Sequence, residues 1–263
     1  MRGKVIWITG ATGGLGKAMA MECASQGAEL ILTARRKSIL EDVAKACKEA
    51  GSPQVYTAIL DMEQSAQIEQ VAQSVLQRFP RIDILINNAG ISQRSLIKDT
   101  EMEVYRRVME IDYMGPVHLT KLLLTRFSAQ KSGHVVVISS LVGKFATPLR
   151  SGYAAAKHAL HGFFDTLRME HYEDNIKVTL ICPGFIKTDV SINALTAKGE
   201  KQNKMDKAQE GGMLPATFAA KAIKGIKQGK EELLIGGKEK NGVLLHRLFP
   251  KAFRNYLRKA AVT

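Results

Sequence analysis

Cysteine is scarce in this chain. The three present, Cys23, Cys47 and Cys182, are scattered and form no spaced cluster. An odd, scattered set argues against a disulfide framework and fits a reducing compartment, so a cytoplasmic protein is expected. Long apolar runs are missing too. No stretch approaches the roughly eighteen apolar residues of a membrane span. The opening "MRGKVIWITG" starts basic, but its apolar run "VIWI" is too short for a secretory signal. There is no Pro-rich linker, internal repeat or low-complexity tract. Acidic residues are the minority: 25 Asp and Glu face 38 Lys and Arg, a formal charge of +13. That excess concentrates anions near the surface, whether nucleotides, nucleic acid or acidic membranes, without choosing among them. What is present is the balance of an ordinary globular protein, 45% hydrophobic and 24% charged over 263 residues. One domain spanning residues 1–263 is the simplest reading.

Short β-branched runs alternate with helical patterns. Strands are expected at 4–9, 28–33, 54–60, 83–88, 134–139 and 177–182, with a weaker one at 232–236. Helices are expected at 14–26, 38–49, 64–78, 101–130, 152–173 and 215–228. Nearly unbroken apolar strands spaced by helices indicate a parallel sheet covered on both faces. Right-handed crossovers then give an α/β fold, a Rossmann-type doubly wound parallel sheet of about seven strands with helices on both faces. The polar, charge-mixed segment 191–214 follows the sixth strand. It reads equally as a loop over a substrate or as a solvated surface helix.

"TGATGGLG" places Gly10, Gly13, Gly14 and Gly16 between the first strand and first helix. Glycine there lets the backbone turn sharply and approach a phosphate, and the helix N-terminus supplies free N–H groups. The nucleoside-triphosphate loop is excluded, because Ala11 and Ala18 stand where it needs Gly and Ser/Thr. A nicotinamide dinucleotide leaves a second mark at the end of the second strand. An acid there binds a ribose 2′-hydroxyl, whereas Arg accommodates a 2′-phosphate. The text is "LTARRK", with no acid. NADP(H) is therefore expected over NAD(H), with Arg35 the main contact and Arg36 or Thr33 helping.

Ser140 falls at the carboxyl end of the fifth strand, where ligands bind in open α/β sheets. Tyr153 and Lys157 are four apart on a helix and share a face. An unperturbed tyrosine, with a pKa near 10, is a poor proton donor at neutral pH. A neighbouring ammonium favours its phenolate and makes Tyr153 a usable acid or base, with Ser140 hydrogen-bonding the same substrate oxygen.

With these motifs assembled, the chain resembles the short-chain dehydrogenase/reductase family over nearly its whole length. The matches are "TGATGGLG", Asp61, "NNAG" at 87–90, Ser140, "YAAAK" at 153–157, and "PG" at 183–184 followed by Thr188. The spacing from Ser140 to Tyr153, 153 − 140 = 13, also fits. The branch it looks like is the mostly NADP-using one of 11β-hydroxysteroid dehydrogenase-like and member 7B-like reductases. The resemblance implies that Tyr153 is the general acid or base, that Lys157 binds the nicotinamide ribose and tunes Tyr153, and that Ser140 positions the substrate carbonyl. It implies cofactor contacts from Thr12 and Leu15 in the glycine loop and from Asp61 to the adenine, with Met62 beside it. Asn88, Ala89 and Gly90 would line the same site. Pro183, Gly184 and Thr188 would border the nicotinamide, with the Ile186 amide facing its carboxamide. One position departs: "IDYMG" puts Asp112 where the family has Asn. Asp accepts but does not donate when ionised, so it holds a relay water or attracts Lys157. Activity is expected to be retained.

Other residues are assigned structural roles. His158 and His161 lack a third ligand, so no metal is expected. Cys182 reads as a buried apolar residue. Met102, Met109, Met114 and Met169 read as helix packing. The basic amphipathic tail, 241–263, carries Leu244, Leu245, Leu248, Phe249, Phe253, Tyr256 and Leu257, flanked by Arg247, Lys251, Arg254, Arg258 and Lys259. Packing within the protein or against a second subunit ranks first for it, and peripheral membrane contact second. Nucleic acid is not expected. The reading is an NADP(H)-dependent oxidoreductase acting on a small, apolar carbonyl or alcohol. The resemblance implies a homodimer or homotetramer. The alternatives are a non-catalytic NADP(H)-binding sensor or scaffold and a membrane-surface lipid or steroid reductase.

Overall fold

The computed structural model describes residues 1–259, the side chain of Lys259 excepted. The last residues of the tail, and the Lys259 charge assigned to it, lie outside that description. The strands are β1 (Val5–Thr9), β2 (Glu29–Ala34), β3 (Val55–Ile59), β4 (Ile84–Asn87), β5 (Gly133–Ile138), β6 (Ile176–Pro183) and β7 (Glu232–Ile235). They form one sheet in the order β3-β2-β1-β4-β5-β6-β7. Every neighbouring pair is parallel.

Successive strand side chains point to opposite faces, so each strand feeds two cores. Ile6, Ile8, Leu30, Leu32 and Ile86 face one side, under α1 (Gly14–Ser25), α2 (Lys37–Glu49) and α8 (Pro215–Lys227). Trp7, Ile31, Leu85, Val135 and Val137 face the other, under α3 (Ser65–Arg78), α5 (Gly115–Gln130) and α6 (Ser151–Glu170). This is why the strands read as continuous apolar runs. Phe127 and Phe164 are fully buried in the second core and contribute on the order of 2 kcal/mol each. β1 is flanked by β2 and β4, whose connections leave in opposite directions. The crevice at that switch point opens beyond the carboxyl ends of the strands.

The structure refines four expectations. The segment expected to be helical over 101–130 is helical from Met102 to Gln130 but widens in its middle. It consists of α4 (Met102–Met109), a wide π-helical turn (Glu110–Met114) and α5. Pro116 has no N–H to return to the Asp112 carbonyl four residues back, so the turn widens there.

The segment 191–214 is not a surface helix. It holds only the short α7 (Lys207–Glu210) and is tied down by bridges from Leu195 to Gln93 and from Met213 to Ile186. Ser191, Ala194, Leu195 and Asp206 are buried.

Three of the four methionines do not pack. Met102, Met114 and Met169 are exposed, while Met109 lies against Val104 and Val108. Met102 and Met169 each lie two residues from an inward position, Val104 and Leu167, so about 200° of helical rotation turns them to solvent.

The tail breaks at Pro250 into α9 (Gly242–Leu248) and α10 (Pro250–Lys259). Phe253 is buried edge-on against Phe145, centroids 5.0 Å apart, and Leu257 packs beside it. Leu244, Leu245, Leu248, Phe249 and Tyr256 are exposed. Intramolecular packing therefore covers only part of the expected stripe.

His134, buried in β5, gives a test of stability. Thr179 donates its hydroxyl to the Lys230 carbonyl and so receives a hydrogen bond from His134 Nε2, 2.7 Å away. Burial, reinforced by the Lys177 charge, pulls the His134 pKa down to about 4. Burial and then Lys144 do the same to His161. A depressed folded value means that stability is complete above the unfolded value, about 6.5, and is lost as pH falls toward about 4. The slope approaches about 1.4 kcal/mol per pH unit per histidine. Urea unfolding between pH 6.5 and 4.5 should show this loss, and His134→Gln should flatten it.

Candidate active site

β1 ends at Thr9, and the chain turns through Gly10 at φ +67° and Gly14 at φ +50° into α1. The glycines divide into two jobs. A Cβ on Gly10 would sit 2.8 Å from Ala89 Cα, and one on Gly16 would sit 2.4 Å from the Gly10 carbonyl oxygen and Asn88 Nδ2. Those two let chain segments touch each other. Gly16 is buried, and the cavity lining passes from Leu15 without it. Gly13 has open space around it, with Arg36 at 3.7 Å, and no side chain caps α1. The first-turn N–H groups are thus left for a ligand.

Asn88 locks this loop to the strand beside it. Its Nδ2 donates to the carbonyls of Thr9 (2.8 Å) and Gly10 (3.3 Å). Thr9 Oγ1 in turn accepts from the backbone N–H of Asn88 and Ala89, both at 3.0 Å.

At the end of β2, Arg36 donates to Thr12 Oγ1 at 3.1 Å, and Arg35 lies 3.8 Å from the Asp61 carboxylate. Both guanidiniums line the cavity wall and have no acid from β2 beside them. Thr33 does not join them. It is buried, receives the Trp7 indole N–H and donates to the Ile8 carbonyl. Its alternate place on the strand turns it into the second core.

The wide turn brings Asp112 to the centre of the site. Its carboxylate is fully buried; Oδ1 accepts from Ile91 N–H at 2.7 Å, and Oδ2 lies 3.2 Å from Lys157 Nζ. Lys157 also donates to the Ile138 carbonyl at 3.1 Å and stands 5.5 Å from the centroid of the Tyr153 ring. Burial, the largest influence, would depress Lys157, but the charge and hydrogen bond of Asp112 together with Tyr153 outweigh it and hold the ammonium above its usual value. Burial pushes Asp112 up, with Lys157 and the Ile91 amide offsetting part of that rise. Ser140 Oγ accepts from Val142 N–H at 3.1 Å, which leaves its own hydroxyl hydrogen to donate.

Gly13, Arg35, Asn88, Asp112, Ser140, Tyr153 and Lys157 line one cavity of about 1030 Å³. It runs from Arg36 past Gly13 and Asp61, then Gly90, Ser140 and Tyr153, to Leu245 and Tyr256 of the tail. Met62, Pro183, Gly184, Ile186 and Thr188 line it as well. A volume at the top of the usual ligand range suits a dinucleotide with a second molecule beside it. The bare Gly13 edge, the uncapped helix and the basic wall all fit a phosphate-rich cofactor.

Three features of the site were not legible in the sequence. Asp206, from the 191–214 segment, is buried between Arg94 (2.7 Å) and Arg150 (3.2 Å), the residue preceding α6. Burial works against the charged form, but the two arginines hold the Asp206 carboxyl below its usual range. Gln209 donates to the Ile186 carbonyl and Thr188 Oγ1, at 2.9 and 3.2 Å. Glu239 Oε1 accepts from the N–H groups of Phe185 and Gly237, both at 2.9 Å, and packs on Gly184. Apart from Glu239 with Gly237, each pair is distant in sequence, and nothing local marks its members.

His161 Nε2 lies 3.0 Å from Ser139 Oγ, and His158 Nδ1 lies 2.8 Å from its own helix's Ala154 carbonyl. Cys182 is buried, its thiol pushed up to about 12 by burial first and Glu232 second.

The family model described as short chain dehydrogenase matches residues 4–199. The chain is 42% identical over 238 residues to the Mus musculus protein described as Dehydrogenase/reductase SDR family member 7B, across 89% of this chain and 74% of that one. Among solved structures, an alcohol dehydrogenase from the archaeon Thermococcus sibiricus complexed with 5-hydroxy-NADP has a TM-score of 0.75 at 25% identity, covering 89% of this chain and 97% of that one. A short chain dehydrogenase/reductase from Burkholderia phymatum in complex with NAD has a TM-score of 0.83, covering 100% of this chain and 97% of that one. Its 22% identity speaks for the fold alone.

Proposed function

This chain belongs to the short chain dehydrogenase family of oxidoreductases, in its 7B-like branch, and from that premise we propose that it is an NADP(H)-dependent carbonyl reductase or alcohol dehydrogenase. The observation that carries this reading is a single cavity lined by Ser140, Tyr153 and Lys157 and by two arginines that follow β2, whose carboxyl end carries no acid. Bound NADPH would supply the hydride that reduces a ketone or aldehyde carbon, since no side chain supplies one.

The protein's own groups handle the oxygen. Ser140 donates its free hydroxyl hydrogen to the carbonyl oxygen. Tyr153 donates the proton that completes the alcohol and takes it back in the oxidative direction. Lys157, an ammonium 5.5 Å from the ring centroid, stabilises the phenolate left behind and would also hold the nicotinamide ribose. Asp112 holds that ammonium in place. The buried Arg94–Asp206–Arg150 set anchors segment 191–214 beside the reacting end and next to α6. The segment thereby excludes water from the substrate.

Fluorescence titration with NADPH and NADH, followed by NADPH oxidation against a panel of ketones and aldehydes, tests the reading. Tighter binding of NADPH is expected. Arg35→Ala combined with Arg36→Ala should erase about 10- to 100-fold of that preference, the scale of one charge-assisted hydrogen bond. Tighter binding of NADH would overturn the cofactor assignment. Binding without turnover of any carbonyl would leave a non-catalytic NADP(H) sensor.

A further inference from the structure

The tail presents an apolar surface that the protein itself does not cover. Leu244 and Leu248 lie one turn apart on α9, as do Leu245 and Phe249 at its end, and Tyr256 follows on α10. All five are exposed, between 49% and 66%. They hold five of the thirteen exposed large apolar side chains among the described residues, within thirteen residues of sequence. Concentration on this scale marks an interaction surface. The patch borders the cavity, because Leu245 and Tyr256 belong to both.

Charge decides what covers it. After Glu239 the chain carries no acidic residue, while Lys240, Arg247, Lys251, Arg254, Arg258 and Lys259 are basic. Arg247, Lys251, Arg254 and Arg258 are exposed alongside the apolar side chains. A second copy docking through this face would bring two such basic sets together. An anionic lipid surface attracts the basic rim and accepts the leucines and Phe249 into its acyl boundary. No described helix is long and apolar enough to cross a membrane, so contact here is by lying on the surface.

We propose that α9 and α10 seat the protein on an anionic lipid bilayer, with the mouth of the cavity facing the lipid. Resting on the reductase reading, this names the substrate class: an apolar carbonyl compound that partitions into the bilayer and reaches Ser140 and Tyr153 past Leu245 and Tyr256.

Co-sedimentation of the full chain with vesicles tests the docking without recourse to activity. The vesicles are phosphatidylcholine alone or phosphatidylcholine with 30% phosphatidylserine. Binding to the anionic vesicles is expected, weakened at least tenfold by 0.5 M NaCl. The combined Leu248→Ser and Phe249→Ser variant should lose at least tenfold in partitioning. Its NADPH affinity should be unchanged, which checks folding, because neither side chain lines the cavity. Equal binding to neutral vesicles, or none to either, overturns the proposal. So does a dimer in light scattering that dissociates in this variant. For access, turnover of a lipid-soluble ketone should rise when anionic vesicles are added, while a water-soluble ketone is unaffected. If vesicles bind but no ketone is reduced, the reductase reading fails and the docking stands.

Discussion

Tyr153→Phe should lower turnover by about 10²–10⁴-fold while NADPH affinity changes by less than about twofold. The substitution removes one oxygen and its proton and leaves the ring. That ring lies over the Lys157 ammonium at 5.5 Å, and a phenylalanine keeps the same attraction between cation and π-face. The elements that hold the far end of the cofactor, the Gly13 edge and the Arg35–Arg36 wall, are remote from this change. A loss confined to turnover therefore isolates proton transfer. Single-turnover mixing with NADPH already bound reads that step directly. Retained catalysis would mean that another acid protonates the alkoxide. The alternative donor in the site is Ser140, whose hydroxyl hydrogen is free. A Ser140→Ala variant would then carry the large loss instead.

What the sequence disclosed, and what it did not, follows from how far each signal reaches along the chain. Strand positions were legible within a residue or two, because a doubly covered parallel sheet makes each strand apolar on both faces, as at Ile6, Trp7 and Ile8. The glycine loop was legible as a loop, but its internal division was not. Gly13 faces the cavity while Gly16 packs under Asn88, and only the three-dimensional path of residues 87–90 separates them. Thr33 shares the strand face of Ile31 and is held under Trp7, whereas β2 ends at Ala34 and Arg35 turns out of the strand toward the cavity. The Arg94–Asp206 pair spans 112 residues and has no motif. The exposed methionines show the same limit from the other side. Hydrophobic composition of a helix does not reveal which face turns inward when the apolar stripe is as narrow as Val104 and Val108. Asp112 was visible as a departure from the family's Asn, and Pro116 stood four residues away as the sign of a missing helical hydrogen bond. The two were not connected until the turn itself was in view.

That turn sets the second large effect. Asp112→Leu should destabilise the protein by about 3–5 kcal/mol, the scale for removing one partner of a buried ion pair. Lys157 would keep only the Ile138 carbonyl, and the Ile91 N–H would lose its acceptor. Asp112→Asn is different, because its amide oxygen can still accept from Ile91. Its turnover near neutral pH should stay within about tenfold of the parent, since one neutral hydrogen-bonding group replaces a charged one. The pH profile separates the two roles of the carboxylate. Asp112 holds Lys157 above its usual value against the opposing pull of burial. A raised folded value means that the stabilising ammonium is present below it and lost as pH rises through it. Without the carboxylate charge, burial is opposed chiefly by Tyr153, and that loss comes at lower pH. The alkaline limb of the turnover profile should therefore move toward neutrality in Asp112→Asn, and urea unfolding should show stability falling over the same interval. An alkaline limb that stays where it was, with stability intact, would mean that the Ile138 carbonyl and the site's remaining groups suffice to keep Lys157 charged. Asp112 would then serve only to hold the Ile91 amide.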